Sequence, residues 1–190
     1  MEDTYLKCNR KLEVHEYFDT MKDLKSDILK GIYAHGFQKP SKIQSIIIEP
    51  MYSTNKDIIA QAHSGTGKTG AFSIATLQTL DNKLRETQVL VLSPTRELAE
   101  QTYNVAIKLS KYTQIVVEKC IGGTFINNNY NIYNNSQIII GTPGRIFDMT
   151  KKKYINYENI NYLVLDEADE MLSKEFFEQI KIYSFHLQRL

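Results

Sequence analysis

Two segments carry residue types that could do chemistry together: Ala62-His63-Ser64-Gly65-Thr66-Gly67-Lys68-Thr69 and, far downstream, Asp166-Glu167-Ala168-Asp169. In the first, glycines let successive backbone N–H groups turn toward one anion at a helix N-terminus. Lys68 would then meet the β and γ phosphates of a nucleotide, and Thr69 its Mg²⁺. The strict Gly-x-x-x-x-Gly-Lys-Ser/Thr pattern is missed at one position, where Ala62 replaces the first glycine. A glycine-rich turn without a ligand would share the glycines, but it has no need of Gly, Lys and Thr together. In the second segment, Asp166 follows the apolar run Tyr162-Leu163-Val164-Leu165. That places its carboxylate at the C-terminal edge of a strand, where open α/β sheets bind ligands. A carboxylate there can hold Mg²⁺ through water, and Glu167 beside it can orient and deprotonate an attacking water. Taken alone, the tetrad reads equally well as an acidic helix start stabilised by the helix dipole. Following a phosphate loop, it reads as the second half of a Mg-nucleotide site.

Short apolar runs alternating with helix-period segments predict a mostly parallel sheet flanked by helices, an α/β fold. The strands expected are Asp57 to Gln61, Gln88 to Ser93, Ile115 to Cys120, Gln137 to Gly141 and Tyr162 to Leu165. Leu98, Thr102, Val105, Ala106 and Leu109 recur at helical spacing, one buried face of a helix that Thr95 is placed to cap. Leu24, Ile28, Leu29 and Ile32 predict a helix ended by Gly36, and Ser41 a second helix that Pro50 terminates. A further helix is expected from the phosphate loop to Leu80, and another over Phe176 to Leu187. The asparagine-rich stretch Ile126 to Gln137 reads as a solvated loop, and Lys151-Lys152-Lys153 as a solvated helix end.

Length and composition narrow the classes. At 190 residues, 42% apolar and 24% charged, the chain fits one ordinary globular domain. No apolar run approaches the roughly 18 residues of a membrane span. The polar start Met1-Glu2-Asp3-Thr4-Tyr5-Leu6-Lys7 lacks a secretory apolar stretch, which predicts an intracellular chain. Cys8 and Cys120 form neither a disulfide framework nor a CxxC site, and Cys120 reads as a buried, inert thiol. The four histidines show no zinc-ligand spacing. A net charge of +1 gives no global footprint for nucleic acid, so any RNA contact must rest on local residues.

With both motifs in order, the chain resembles the N-terminal RecA-like half of a DEAD-box ATP-dependent RNA helicase, whose name Asp166-Glu167-Ala168-Asp169 spells. Within the family it is similar to the eukaryotic initiation factor 4A group and its exon-junction and ribosome-biogenesis relatives. Phe18-Asp19-Thr20-Met21, Gly31-Ile32-Tyr33-Ala34-His35-Gly36-Phe37 and the stretch from Val164 to Ser173 carry that likeness. It covers about Phe18 to Gln179, leaving 1–17 as an N-terminal extension and 18–190 as the ATP-binding domain.

The resemblance implies ATP with Mg²⁺ as ligands and RNA as partner, bound without sequence preference, with other proteins of a helicase complex as further partners. It makes Phe37, Lys39 and Gln44, in the segment Gly36 to Gln44, the adenine-recognition motif beside Ser64, Gly65, Thr66, Gly67, Lys68 and Thr69. Without the family, Phe37 would be ordinary core and Gln44 an ordinary helix residue. Pro94, Thr95, Arg96, Gly123, Thr142, Gly144 and Arg145 match motifs that grip the RNA backbone. Hydroxyls, N–H groups and guanidinium forks bind phosphates without reading bases. A plain turn into a helix accounts equally well for Pro143 and Gly144. Lys68, Asp166 and Glu167 become catalytic, and Asp169 couples the ATP and RNA states.

In the resembled fold a further strand, bearing a Ser-Ala-Thr motif, follows the acidic motif and lies between its strand and that of the phosphate loop. A second domain supplies arginine fingers. Because the chain ends at Leu190, the expectation is a piece of a longer helicase, truncated after the acidic motif. Hydrolysis and unwinding would require the missing part. Two other readings stand beside this one: a non-catalytic module binding RNA or a partner, and a DNA helicase or other phosphate-loop ATPase. The last leaves Gln44 and Thr142-Pro143-Gly144-Arg145 unexplained.

Overall fold

The computed structural model describes residues 13–54, 56–123, 133, 135–156, 158–172, 176, 180, 181 and 183. The chain divides into two compact units, the first comprising residues up to 79 with 108–113, the second 80–107 with 114 onward.

The first unit is helical. After a 3-10 turn at Phe18–Thr20 come α1 (Ser26–His35), α2 (Gln44–Ser53) and α3 (Lys68–Thr79). Phe18, Ile28, Ile32, Ile48, Ile74 and Leu77 are fully buried. Gly36 ends α1 in the left-handed conformation, φ 102°, as a C-terminal cap should. The Ser41 hydroxyl accepts the Gln44 N–H at 3.4 Å ahead of α2. The expectation that Pro50 terminates this helix is corrected, since α2 runs through it to Ser53. Proline removes one N–H and crowds one upstream carbonyl, but the residues that follow it keep their own donors, so a final turn can form.

Among the described residues, the second unit holds a four-stranded sheet with helices. Its elements are β1 (Val89–Leu92), α4 (Arg96–Ser110, whose last residues belong to the first unit), β2 (Val117–Cys120), β3 (Ile138–Gly141), α5 (Pro143–Lys151), β4 (Tyr162–Leu165) and the short α6 (Ala168–Met171). All pairings are parallel, in the order β2-β3-β1-β4. The central strands β1 and β3 are buried along their whole length, whereas the edge strand β4 is half-buried throughout. Leu90, Leu92, Ile139, Ile146 and Met171 pack into one core with Ile180 and Tyr183. Thr95 Oγ1 accepts the Leu98 N–H at 3.3 Å, the expected cap of α4. Ala99, Thr102, Ala106 and Leu109 form that helix's buried stripe.

Four of the five expected strands are present, Tyr162–Leu165 with the bounds expected and the other three shorter by one or two residues. The fifth, Asp57 to Gln61, is not a strand: among the described residues it joins no ladder, and Ile59 is 96% exposed. An apolar run reports a tendency toward burial, but a strand exists only where a neighbour accepts its N–H and C=O bonds. Cys120 is buried as expected, and burial pushes its thiol up to about 11, far from a reactive thiolate. The asparagine-rich stretch and the helix expected over Phe176 to Leu187 lie largely outside the described residues. Of the latter, Phe176, Ile180, Lys181 and Tyr183 are helical.

Gly31 exposes how tightly α1 is packed, because a Cβ there would sit 2.0 Å from the carbonyl oxygen of Leu109. Alanine normally gains about 1 kcal/mol over glycine in a helix. Here the obstacle is backbone, and overpacking of this kind costs about 1–3 kcal/mol or more. Gly31→Ala is therefore expected to lower the urea midpoint, and a raised midpoint would show that α1 shifts freely.

Candidate functional site: a phosphate loop and a sheet edge

In the first unit, the phosphate loop is shaped by glycines at Gly65 (φ 78°) and Gly67 (φ 97°), where side chains are disfavoured. The Gly67 carbonyl is used twice. It receives the Ala71 N–H at 3.0 Å, opening the α3 ladder, and the Gln44 side-chain amide at 3.0 Å. The Gln44 Oε1 accepts the Ser41 N–H at 2.9 Å, so this buried amide ties the phosphate loop at Gly67 to the backbone just ahead of α2. Lys68 Nζ donates to the Ala62 carbonyl at 2.8 Å, spanning the loop's base. Thr66 Oγ1 donates to His63 O at 2.7 Å, Ser64 and Gly65 are exposed, and Thr69 is half-buried on the first turn of α3.

Phe37 and Gln44 converge on Gly70, where an added Cβ would lie 3.0 Å and 2.8 Å from them. Phe37 also stacks on Phe18 (centroids 6.3 Å, 24°) and meets the edge of His35 at 4.5 Å. Burial, then the charge of Lys108, holds the His35 pKa below its ordinary value. Lys39 is not brought to the loop. Its ammonium pairs with Glu16 at 3.1 Å and lies over the Tyr17 ring at 4.5 Å, and these contacts, Tyr17 first, raise its pKa.

In the second unit, parallel strands deliver four loops to one edge of the sheet. In spatial order these are Gly122-Gly123 after β2, Thr142 to Arg145 after β3, Pro94 to Arg96 after β1, and Asp166 to Asp169 after β4. The Arg96 guanidinium lies against the glycine pair, with its Nη atoms 2.9 Å from where either Cβ would be, and Gly123 is left-handed at φ 85°. Thr142 precedes Pro143 at the first position of α5, and its carbonyl accepts the Arg145 and Ile146 N–H groups at 3.1 Å. Gly144 follows in the same turn. Arg145 Nη1 is 3.7 Å from Asp148, which also holds Lys152 at 2.8 Å.

Asp166 is 8% exposed. Its N–H donates to Leu92 O at 2.9 Å, continuing the ladder one residue past β4, and its Oδ2 accepts from Thr102 Oγ1 at 3.4 Å. Glu167 is left-handed (φ 51°, ψ 57°), and Asp169 is exposed. The sequence singled out neither Thr102, which reads as a core position on α4, nor Asp148, which reads as an ordinary surface acid. Their roles come from partners distant in the chain or set by helix geometry.

A family model described as DEAD/DEAH box helicase matches residues 41–189. The chain belongs to that family, and its parallel sheet with flanking helices is the family's RecA-like fold. Among curated relatives, it is 46% identical to the ATP-dependent RNA helicase FAL1 of Scheffersomyces stipitis over 94% of this chain and 45% of that protein. It is 47% identical to Eukaryotic initiation factor 4A of Drosophila melanogaster over 89% of this chain and 42% of that one. Among solved structures it is similar to S. cerevisiae Dbp5 bound to RNA and ADP BeF3, with a TM-score of 0.80 and 38% identity, covering 89% of this chain and 44% of that one. The chain spans under half the length of these relatives.

A non-glycine residue held in the left-handed region costs of order 1–3 kcal/mol. Glu167→Gly is therefore expected to stabilise the fold by about 1 kcal/mol, after glycine's added chain entropy is deducted. Urea titration of the two proteins checks this. Equal stability would show that the conformation is unstrained.

Proposed function

We propose that this chain is the ATP- and RNA-binding half of a DEAD-box RNA helicase, with 18–190 as the ATP-binding domain and 1–17 as an extension. The observation that carries the reading is the sheet edge, where Gly122-Gly123, Thr142 to Arg145, Pro94 to Arg96 and the acidic motif follow adjacent parallel strands. Four separate segments converge there in a family whose relatives are named ATP-dependent RNA helicases.

In this reading the phosphate loop receives the nucleotide through N–H groups turned by Gly65 and Gly67, with Lys68 compensating charge on the β and γ phosphates. Lys68 would release the Ala62 carbonyl to do so. Phe37 supplies a face for adenine, and the Gln44 amide can donate to and accept from its edge. Lys39 acts indirectly, by fastening Glu16 and Tyr17. The Thr69 hydroxyl in the first unit is a hard oxygen donor of the kind Mg²⁺ takes, and the Asp166 carboxylate in the second is another, suited to act through water. That ion would neutralise charge building on the transferred phosphoryl group. Glu167 orients the attacking water and takes its proton.

Thr95, Arg96, Gly123, Thr142, Gly144 and Arg145, with Pro94 setting the turn, would follow an RNA backbone across the sheet edge. Such contacts position the strand without reading its sequence. Asp169, exposed beside this edge, is the residue available to couple the two ligands. Hydrolysis and unwinding are assigned to the full-length helicase, in keeping with the chain's coverage of under half of its relatives.

Two measurements test the reading. With a fluorescent ATP analogue, Lys68→Ala is expected to weaken binding by at least about tenfold, the worth of one charge-assisted hydrogen bond. Glu167→Gln should leave binding intact while abolishing RNA-stimulated hydrolysis in the full-length protein, and unchanged turnover would refute the role of Glu167. For RNA, Arg96→Ala and Arg145→Ala should each weaken binding equally across unrelated sequences and lower the salt slope by about one unit or less. A sequence-dependent loss would instead mean that these residues read bases.

A further inference from the structure

A second group of chemically capable side chains lies in the first unit, outside the loop. Glu13, His15 and Glu49 bring a ring nitrogen and two carboxylates within 4.8 Å of one another. Two come from the segment ahead of Phe18 and the third from α2, so chain spacing gives no hint of the cluster. His15 is well seated: its main-chain N–H donates to the Ser45 carbonyl of α2 at 3.1 Å, and its side chain is only 9% exposed.

Thr20 decides the state of this ring. The Thr20 hydroxyl gives its one hydrogen to the Tyr17 carbonyl at 2.7 Å. Its oxygen, 3.2 Å from His15 Nδ1, can therefore only accept there, which makes Nδ1 the protonated nitrogen. In a neutral imidazole the lone pair is then on Nε2. Nε2 is buried and without a hydrogen bond, yet it lies 2.9 Å from Glu49 Oε2. That oxygen already accepts the Lys22 N–H at 2.9 Å. With the ring neutral, two acceptors face each other at 2.9 Å, an arrangement that either a proton or a shared metal cation relieves.

We propose that Glu13, His15 and Glu49 form a divalent transition-metal site of the zinc class, closing the segment ahead of Phe18 onto α2. One imidazole nitrogen and two carboxylates suit Zn²⁺ or Co²⁺, whereas Mg²⁺ prefers oxygen alone. Hydrogen bonding of the far ring nitrogen, here Nδ1 to Thr20, is the usual outer support of a metal-bound histidine. Glu13 is exposed and can swing in as the third ligand. The proposal is independent of the nucleotide reading, since none of its residues belongs to the phosphate loop or the sheet edge.

The test uses the whole chain, stripped with a chelator and free of nucleotide, titrated with ZnCl2 by calorimetry and with CoCl2 by visible absorption. One equivalent is expected to bind, with excess Mg²⁺ failing to compete. Glu13→Gln and His15→Gln should each weaken Zn²⁺ binding by at least about tenfold, and Thr20→Val, which removes only the outer support, by about tenfold. Circular dichroism without metal confirms that each variant is folded, and Glu13→Gln, at an exposed position, keeps the test open should the histidine variant unfold. Absence of saturable Zn²⁺ binding would overturn the proposal and leave His15 and Glu49 joined by a proton alone. Unchanged affinity in either ligand variant would overturn it as well, by locating the ion elsewhere.

Discussion

Every pairing in the second unit's sheet is parallel, and β1, held between β3 and β4, is the strand through which its ladder passes. Because all four strands point one way, every loop that follows a strand emerges at the same edge. Residues from four distant stretches of chain are thereby lined up without needing to contact one another. The ladder even reaches past its last strand: the bond from the Asp166 N–H to Leu92 O fixes the acidic motif's first residue by main chain rather than by side-chain packing.

On that rigid edge the loops are shaped by conformations that cost energy or require glycine. Gly123 is left-handed beneath the Arg96 guanidinium, and Glu167 is left-handed with a full side chain. The first unit uses the same device differently. There Gly67 turns the phosphate loop so that one carbonyl serves both the first helical bond of α3 and the Gln44 amide. The loop's shape is thus tied to a helix residue 23 positions earlier in the chain. Strain of this kind persists only where surrounding structure over-determines it.

Where the sequence was a sound guide, the reason is periodicity. The Thr95 cap and the Gly36 stop are local, decided by residues within a turn or two of each other, and they stand in the structure as read, while the α4 stripe keeps Thr102, Ala106 and Leu109 but buries Ala99 where Leu98 and Val105 are only half-buried. The two misread elements each depend on something non-local. Pro50 weakens α2 without ending it, because the buried side chains Ile46, Ile47 and Ile48 already hold the helix in place. Asp57 to Gln61 has the composition of a strand but, among the described residues, no ladder to join. For the candidate site, the motif residues stood out because Gly, Lys and Thr together have few structural uses, whereas the acidic tetrad drew its meaning from the loop that precedes it in the chain. Thr102, Asp148 and the turning of Lys39 toward Glu16 and Tyr17 were not legible, since each is defined by the side chain it meets.

By itself, then, the amino-acid sequence determined the chemistry available to this protein and the elements that bear it. A glycine-rich loop opening a helix and an acidic tetrad after an apolar run are written in consecutive residues, so their residue types and spacing can be read without knowing their partners. Only the tertiary structure decided which groups share a neighbourhood: the order of the four loops along the sheet edge, Thr102 beside Asp166, and His15 facing Glu49. Strand order and helix packing bring together residues far apart in the chain. No pattern of spacing encodes such pairings, because they follow from how buried surfaces fit.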